Sequence, residues 1–224
     1  MKNHIVIVAG GSGTRFGGPI PKQFMLLSDR PVLMHTISAF ANLADDIVVV
    51  LPEAHRSTWA TLCQKHAFDV PHRVVAGGES RFHSVKNALD SMADTEADEL
   101  VAIHDGVRPL VSRRLIEATL QAAAVHGGAI PVVPVTDSIR QLDAHGGNHP
   151  VVRSTLRAVQ TPQCFHLAAL RQAYALPFDE TITDDAMTYE RLGKSVVLVD
   201  GDPTNIKITD PADLAIAEML MNHG

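Results

Sequence analysis

VAGGSGTRFGGPIPKQF, Val8 to Phe24, continues the apolar run HIVIVA (His4–Ala9) and holds five glycines, Arg15 and Lys22. A short apolar run that ends in dense glycine reads as a strand leaving a sheet for a loop pressed against something. In open α/β sheets ligands bind beyond the carboxyl ends of the strands, and the first strand's loop is the usual place. Without Cβ atoms in the way, successive N–H groups can converge on an anion. Arg15 offers a planar fork for two oxygens, and Lys22 a compact point charge. Either charge alone would read as a solvated surface residue. Both together, in a glycine loop behind the first strand, favour phosphate.

Three familiar motifs fail here. The dinucleotide fingerprint G-x-G-x-x-G would use Gly11 and Gly13 but meets Phe16 at its third glycine. The P-loop fails because Lys22 stands between Pro21 and Gln23. The nucleophile elbow G-x-S-x-G around Ser12 has Thr14 where its last glycine belongs. The loop is therefore a different anion cradle.

The rest of the chain agrees with an α/β frame. Apolar, β-branched runs recur at Ile5–Ala9, Ile47–Leu51, Arg73–Ala76, Leu100–His104, Ala129–Val135 and Ser195–Val199, as expected of strands buried on both faces. Helical patterns lie between them, with Phe82, Val85, Leu89 and Met92 on one face and Leu115, Ala118, Ala122 and Val125 on another. Asp210, Pro211 and Asp213 signal the start of a last helix. The expected fold is α/β and Rossmann-like: a mostly parallel twisted sheet with helices on both faces, in one domain over 1–224. One segment, 136–163, breaks the rhythm. Gly146-Gly147-Asn148 marks a turn between two partly polar extended arms. A β-hairpin arm projecting over about 136–160 is expected, with a partner subunit as what it packs on.

Composition narrows the partners. The 224 residues carry a formal net charge of −6, so no basic face for nucleic acid is implied. Two cysteines, Cys63 and Cys164, lie far apart and suggest neither a disulfide scaffold nor a thiolate zinc site. No stretch has the length of a membrane span, and the first apolar run is too short for a signal peptide. The expectation is a soluble cytoplasmic protein with small-molecule partners.

G-x-G-x-R followed by P-K-Q-F resembles the signature of sugar-nucleotide pyrophosphorylases and cytidylyltransferases. Further stretches narrow the resemblance: GGESRFHSV (Gly77–Val85), HDGVRP (His104–Pro109), QTPQCF (Gln160–Phe165), TDDA (Thr183–Ala186) and NIKIT (Asn205–Thr209). Together, in this order over almost the whole chain, they resemble the 2-C-methyl-D-erythritol 4-phosphate cytidylyltransferase family of the non-mevalonate isoprenoid pathway. The resemblance implies that a phosphate oxygen of the alditol phosphate attacks the α-phosphorus of CTP, with Mg²⁺ assisting and pyrophosphate leaving. The attacker is already an anion, so the site needs positioning and charge neutralisation, not a general base.

By the same resemblance Arg15 and Lys22 stabilise the transition state, joined by Arg153 and Lys207. Ala9, Gly10, Gly11 and Gly13 hold the triphosphate and part of the nucleoside. Gly78 and Ser84 read the cytosine edge, although Gly77-Gly78 alone would be only a strand-to-helix turn. Asp105, at the end of the apolar run LVAIHD, faces ribose and metal; its plainer reading is an N-cap or a pair with Arg108. Arg81 is a weaker candidate, as a cap or a phosphate contact. The second substrate's clamp is implied to be Arg153, Lys207, Thr161, Thr183, Ser138 and Arg108. Lys207 could equally be the exposed residue of an alternating strand NIKIT. His104 reads as a packed or hydrogen-bonded histidine. The family's arm reaches the neighbouring subunit's site, which implies a homodimer.

Three rivals stand beside this reading. AGG at Ala9–Gly11 and HDGVRP also fit ribitol-5-phosphate cytidylyltransferases, which share the chemistry and differ in the alditol. A CTP-binding regulatory protein without turnover would keep the fold, but Arg15, Lys22 and Asp105 are all in place. An NAD-dependent oxidoreductase is disfavoured by Phe16.

Overall fold

The computed structural model describes residues 1–11, 20–93 and 98–223, the last without its side chain. Gly13 and Arg15 lie outside the described residues. The chain runs β1 (Asn3–Val8), a small hairpin of β2 (Leu26–Leu27) and β3 (Arg30–Pro31), α1 (Val32–Phe40), β4 (Asp46–Leu51), α2 (Glu53–Lys65), β5 (Arg73–Ala76), α3 (Arg81–Asp90) and β6 (Leu100–Asp105). It continues with α4 (Arg113–His126), β7 (Gly128–Pro134), β8 (Ile139–Leu142), β9 (Asn148–Val151), β10 (Arg157–Val159), β11 (Gln163–His166), α5 (Leu167–Tyr174), α6 (Asp185–Glu190), β12 (Val197–Asp200) and α7 (Pro211–His223).

Eight strands form the main sheet, in the path β10-β7-β11-β6-β1-β4-β5 with β12 also on β7. β5, β4, β1 and β6 run parallel, as do β7 and β12, whereas β10 and β11 run against their neighbours. β10 and β11 pair with successive stretches of β7, Val132–Pro134 and Gly128–Ala129. The mostly parallel α/β sheet expected from the apolar runs is thus present.

Strand periodicity explains the two layers. Ile5, Ile7, Ile47, Val49, Leu51 and Ala102 point to one side, against Leu33, Ile37 and Phe40 of α1, Trp59 of α2, and Leu115 and Ile116 of α4. Val6, Val48, Val50, Val101 and Ile103 point to the other, against Phe82, Val85 and Leu89 of α3 and Leu170 and Tyr174 of α5. Strands covered on both faces have no polar face to spare, which is why they read as continuous apolar runs.

The stripe on α4 differs from the expected one. Its buried residues are Leu115, Ile116, Thr119, Leu120 and Ala123, while Val125 is 76% exposed. The period was right and the phase was wrong: alanines gave little signal of which side faces the sheet, and the bulkier Ile116 and Leu120 set it. NIKIT is another correction, because no strand forms over 205–209. Ile208 packs in a small cluster with Val107 and its N–H donates to the Val107 carbonyl at 2.9 Å. The α7 start is as expected, with Asp210 Oδ1 accepting from Ala212 N–H at 3.0 Å.

β8 and β9 pair only with each other, forming the hairpin expected from the Gly146-Gly147-Asn148 turn. Its residues are largely exposed, Leu142 at 76%. The chain rejoins the main sheet at β10. No helix among the described residues is long and apolar enough to cross a membrane.

Candidate active site

β4 and β5 lie on one side of β1 and β6 on the other, so the chain reverses its winding direction between β1 and β6. The helices that follow such strands leave a crevice beyond their carboxyl ends. Here the crevice holds two adjoining cavities. The first is lined by Ala9, Gly10 and Gly11 behind β1, by Lys22 and Gln23, by Gly78–Arg81 and Ser84 at the start of α3, and by Asp105, Val107 and Lys207. The second is lined by Arg108, Thr161, Gln163, Thr183 and Asp184 among others. Arg81, Asp105 and Lys207 line both.

Local hydrogen bonding places each wall. Gln23 is fully buried, and its amide donates to the Ala9 carbonyl at 2.9 Å, tying the Pro-Lys-Gln-Phe turn to the end of β1. Phe24 stacks on Trp59 with ring centroids 6.0 Å apart. Lys22 is thereby held beside the glycines: its Cε lies 3.8 Å from where a Cβ on Gly11 would stand. Ser80 caps α3, accepting from His83 N–H. Gly78 N–H donates to the buried Ser84 Oγ at 3.1 Å. A Cβ on Gly78 would sit 2.4 Å from that of His83, so only glycine fits this turn unshifted.

Asp105 ends β6 among cations. Its Oδ2 accepts from Arg108 Nε and Lys207 Nζ, each at 3.1 Å. Burial alone would raise the carboxyl, but Lys207, Arg81 and Arg108 together hold it well below the usual carboxylate range. Asp105 therefore stays ionised. Its backbone N–H donates to Thr161 Oγ at 3.1 Å, and Thr161 Oγ lies 3.0 Å from His104 Nδ1. His104 Nε2 faces the Arg108 carbonyl at 3.1 Å. Burial lowers His104 to about 4. Arg108 Nη1 donates to the Asn205 carbonyl at 2.8 Å, and Asn205 Nδ2 to the Thr161 carbonyl at 2.9 Å.

Arg81, read as a cap or a phosphate contact, lines both cavities and pairs with a buried carboxylate. Its guanidinium forks onto Asp185, Nη1 to Oδ1 at 2.9 Å and Nη2 to Oδ2 at 2.6 Å. Tyr174 Oη donates to the same Oδ1 at 2.6 Å. Asp184, next in the chain, caps α6 by accepting from Met187 N–H, and Gln163 Nε2 donates to its other oxygen at 3.0 Å.

The structure thus brings Ala9, Gly10, Gly11, Lys22, Gly78, Ser84, Asp105 and Lys207 to one cavity, and Arg108, Thr161 and Thr183 to its neighbour. Ser138 and Arg153 line neither; both are exposed at the arm, where the Arg153 guanidinium bonds the Thr136 carbonyl. Arg15 and Gly13 lie outside the described residues. Sequence reading passed over Gln23, Asp185, Asn205 and Gln163. All four sit inside quoted motifs, PKQF, TDDA, NIKIT and QTPQCF, and a buried amide or carboxylate in a motif is the signal that could have marked them.

The family model described as 2-C-methyl-D-erythritol 4-phosphate cytidylyltransferase matches residues 3–223. The protein of that name from Porphyromonas gingivalis is 48% identical over 99% of this chain and 98% of its own. The one from Phocaeicola vulgatus is 44% identical over 99% and 100%. A crystal structure of the enzyme of that name from Thermus thermophilus superposes with a TM-score of 0.80 at 33% identity, covering 99% of this chain and 100% of that one.

Proposed function

The chain belongs to the 2-C-methyl-D-erythritol 4-phosphate cytidylyltransferase family, and from that premise we propose how its two cavities share one reaction. CTP and 2-C-methyl-D-erythritol 4-phosphate give 4-diphosphocytidyl-2-C-methyl-D-erythritol and pyrophosphate, in isoprenoid precursor synthesis. The first cavity takes CTP and the second the alditol phosphate. The observation that carries this division is the shared wall of Arg81, Asp105 and Lys207, where contents of the two cavities would meet.

In the first cavity Ser84 Oγ accepts from Gly78 N–H and keeps its own proton, which suits the acceptor edge of cytosine. The backbone of Ala9, Gly10 and Gly11 approaches the triphosphate, a role the family resemblance also gives Gly13. A phosphate oxygen of the second substrate attacks the α-phosphorus in line. The bond to the bridging oxygen breaks, and its electron pair leaves on pyrophosphate. Lys22 and Arg15 neutralise the charge that builds on the α-phosphate and the leaving group. Lys207, Arg108, Thr161 and Thr183 hold the alditol phosphate, with Lys207 beside the reacting oxygen.

The family resemblance implies Mg²⁺. Asp105 Oδ2 is taken by Arg108 and Lys207, while no described residue bonds Oδ1. No group of three metal-ligating side chains occurs among the described residues. One carboxylate oxygen together with triphosphate oxygens fits the habit of Mg²⁺. Asp105 would hold a metal that arrives with CTP and withdraws charge from the phosphates.

Arg153 and Ser138 complete the second cavity from a partner subunit. Support comes from their position on an arm that leaves its own sheet, and from Leu142 and Val152, 76% and 67% exposed there, which a partner would cover. The enzyme is a homodimer in this reading, working in the cytoplasm where CTP is made.

Pyrophosphate release with Mg²⁺ and CTP is the test. Release with 2-C-methyl-D-erythritol 4-phosphate and not with ribitol 5-phosphate is expected. Release with the ribitol compound alone would keep the mechanism and overturn the substrate; CTP binding without release would favour the regulatory reading.

A further inference from the structure

We propose that His104 is a positioning residue that sets the polarity of the Thr161 hydroxyl, so that Thr161 meets the second cavity as an acceptor for a ligand hydroxyl and not as a donor to a phosphate oxygen. The inference deepens, and rests on, the reading of the second cavity as the alditol phosphate site.

The direction of each hydrogen bond follows from its partners. The Arg108 carbonyl can only accept, so His104 Nε2, 3.1 Å away, carries a proton. The ring is wholly buried, lies edge-on to Phe40 with centroids 4.9 Å apart, and among the described residues its nitrogens face a carbonyl and a hydroxyl but no carboxylate, so burial keeps it neutral. Its Nδ1 is then bare and can only accept. The group facing it at 3.0 Å is Thr161 Oγ, which gives up its one proton there. Thr161 Oγ also accepts from Asp105 N–H at 3.1 Å. One of its two lone pairs remains. A phosphate dianion has no proton to offer that lone pair, whereas an alditol hydroxyl has. The same chain of bonds fixes the backbone that carries Asp105, so His104 governs two groups of the cavity while touching no substrate.

Two substitutions separate the two ends of the ring. His104→Asn places an oxygen near the site of Nδ1 and keeps an acceptor for Thr161. His104→Gln places an N–H near the site of Nε2 and keeps only the bond to Arg108. Steady-state kinetics with both substrates varied, on these and on Thr161→Val, are the test. Thr161→Val is expected to raise KM for the alditol phosphate about five- to tenfold, the value of one hydrogen bond, with KM for CTP unchanged. His104→Gln is expected to match it, His104→Asn to stay near the parent, and His104→Gln to add nothing in a Thr161→Val background. If Thr161→Val leaves that KM unmoved, the reading of the second cavity fails and takes this inference with it. If Thr161→Val raises KM but the Gln and Asn variants are equally impaired, or Gln still acts in the Thr161→Val background, the cavity stands and the role of His104 is wrong. Nitrogen NMR of the His104 ring in the unaltered full chain decides independently of how the variants fold: a proton on Nε2 and none on Nδ1 is expected, and a proton on Nδ1 overturns the inference.

Discussion

Arg81→Met removes a guanidinium and leaves most of the side-chain stem in place. Asp185, fully buried, would keep only Tyr174 Oη in place of that contact and two bonds of 2.9 and 2.6 Å from Arg81. Breaking a buried pair costs about 3–5 kcal/mol because one charge is left uncompensated. The Arg81 side chain is 31% exposed, so water can reach the vacated space. That argues for the lower end, about 3 kcal/mol. For a chain of this length the melting temperature would fall by about 6–12 °C, at about 2–4 °C per kcal/mol. Urea unfolding with a CTP-binding readout is the assay. Arg81→Lys, which keeps a charge without the fork, is expected to fall between. Adding Asp185→Asn to Arg81→Met is expected to recover part of the loss, because the stranded charge disappears. A loss below about 1 kcal/mol, the level of an exposed pair, would refute the reasoning, as would a double variant weaker than Arg81→Met alone. KM for both substrates should rise together, since the pair ties the first turn of α3 to that of α6, one at each cavity.

Lys22→Ala is expected to lower kcat about a hundred- to a thousandfold with little change in melting temperature, measured by pyrophosphate release. Gly78→Ala forces apart two atoms that would lie 2.4 Å from each other and should raise KM for CTP with a smaller effect on the alditol phosphate. Lys22→Ala and Arg153→Ala, each impaired alone, should regain about a quarter of parent activity when mixed under subunit exchange, because random pairing gives half heterodimers with one complete site each; no recovery would place Arg153 in its own subunit's site or in none. His104, pushed down to about 4 by burial, takes up a proton more readily when unfolded. Its contribution to stability is full above about pH 6.5 and lost as pH falls toward about 4, so His104→Asn should flatten urea-measured stability over that window.

Much of the cavity lining was legible because it is local in sequence. A glycine loop behind an apolar strand needs only neighbouring residues to be recognised, and the same holds for Gly78 with Ser84 six residues on and for Asp105 with Arg108 three residues on. The strands were legible because burial on both faces leaves them continuously apolar, and the hairpin because its turn needs glycine. The α4 face was misplaced because a run of alanines carries the period of a helix but little information on its phase.

What a sequence by itself determined here is therefore most of the long apolar strands, the hairpin and the reaction class. Tertiary structure alone decided which distant residues share a bond. Arg81 meets Asp185 across 104 positions, Thr161 meets His104 across 57, and Asn205 meets Thr161 across 44. It tied Arg81, a weaker candidate for a cap or a phosphate contact, to the start of α6, placed Lys207 on Asp105 without a strand, and left Arg153 outside the two cavities. Local patterning follows from the geometry of a few adjacent residues. Pairing across the fold depends on how strands are ordered in the sheet and which side each helix covers, and no short stretch of chain contains that information.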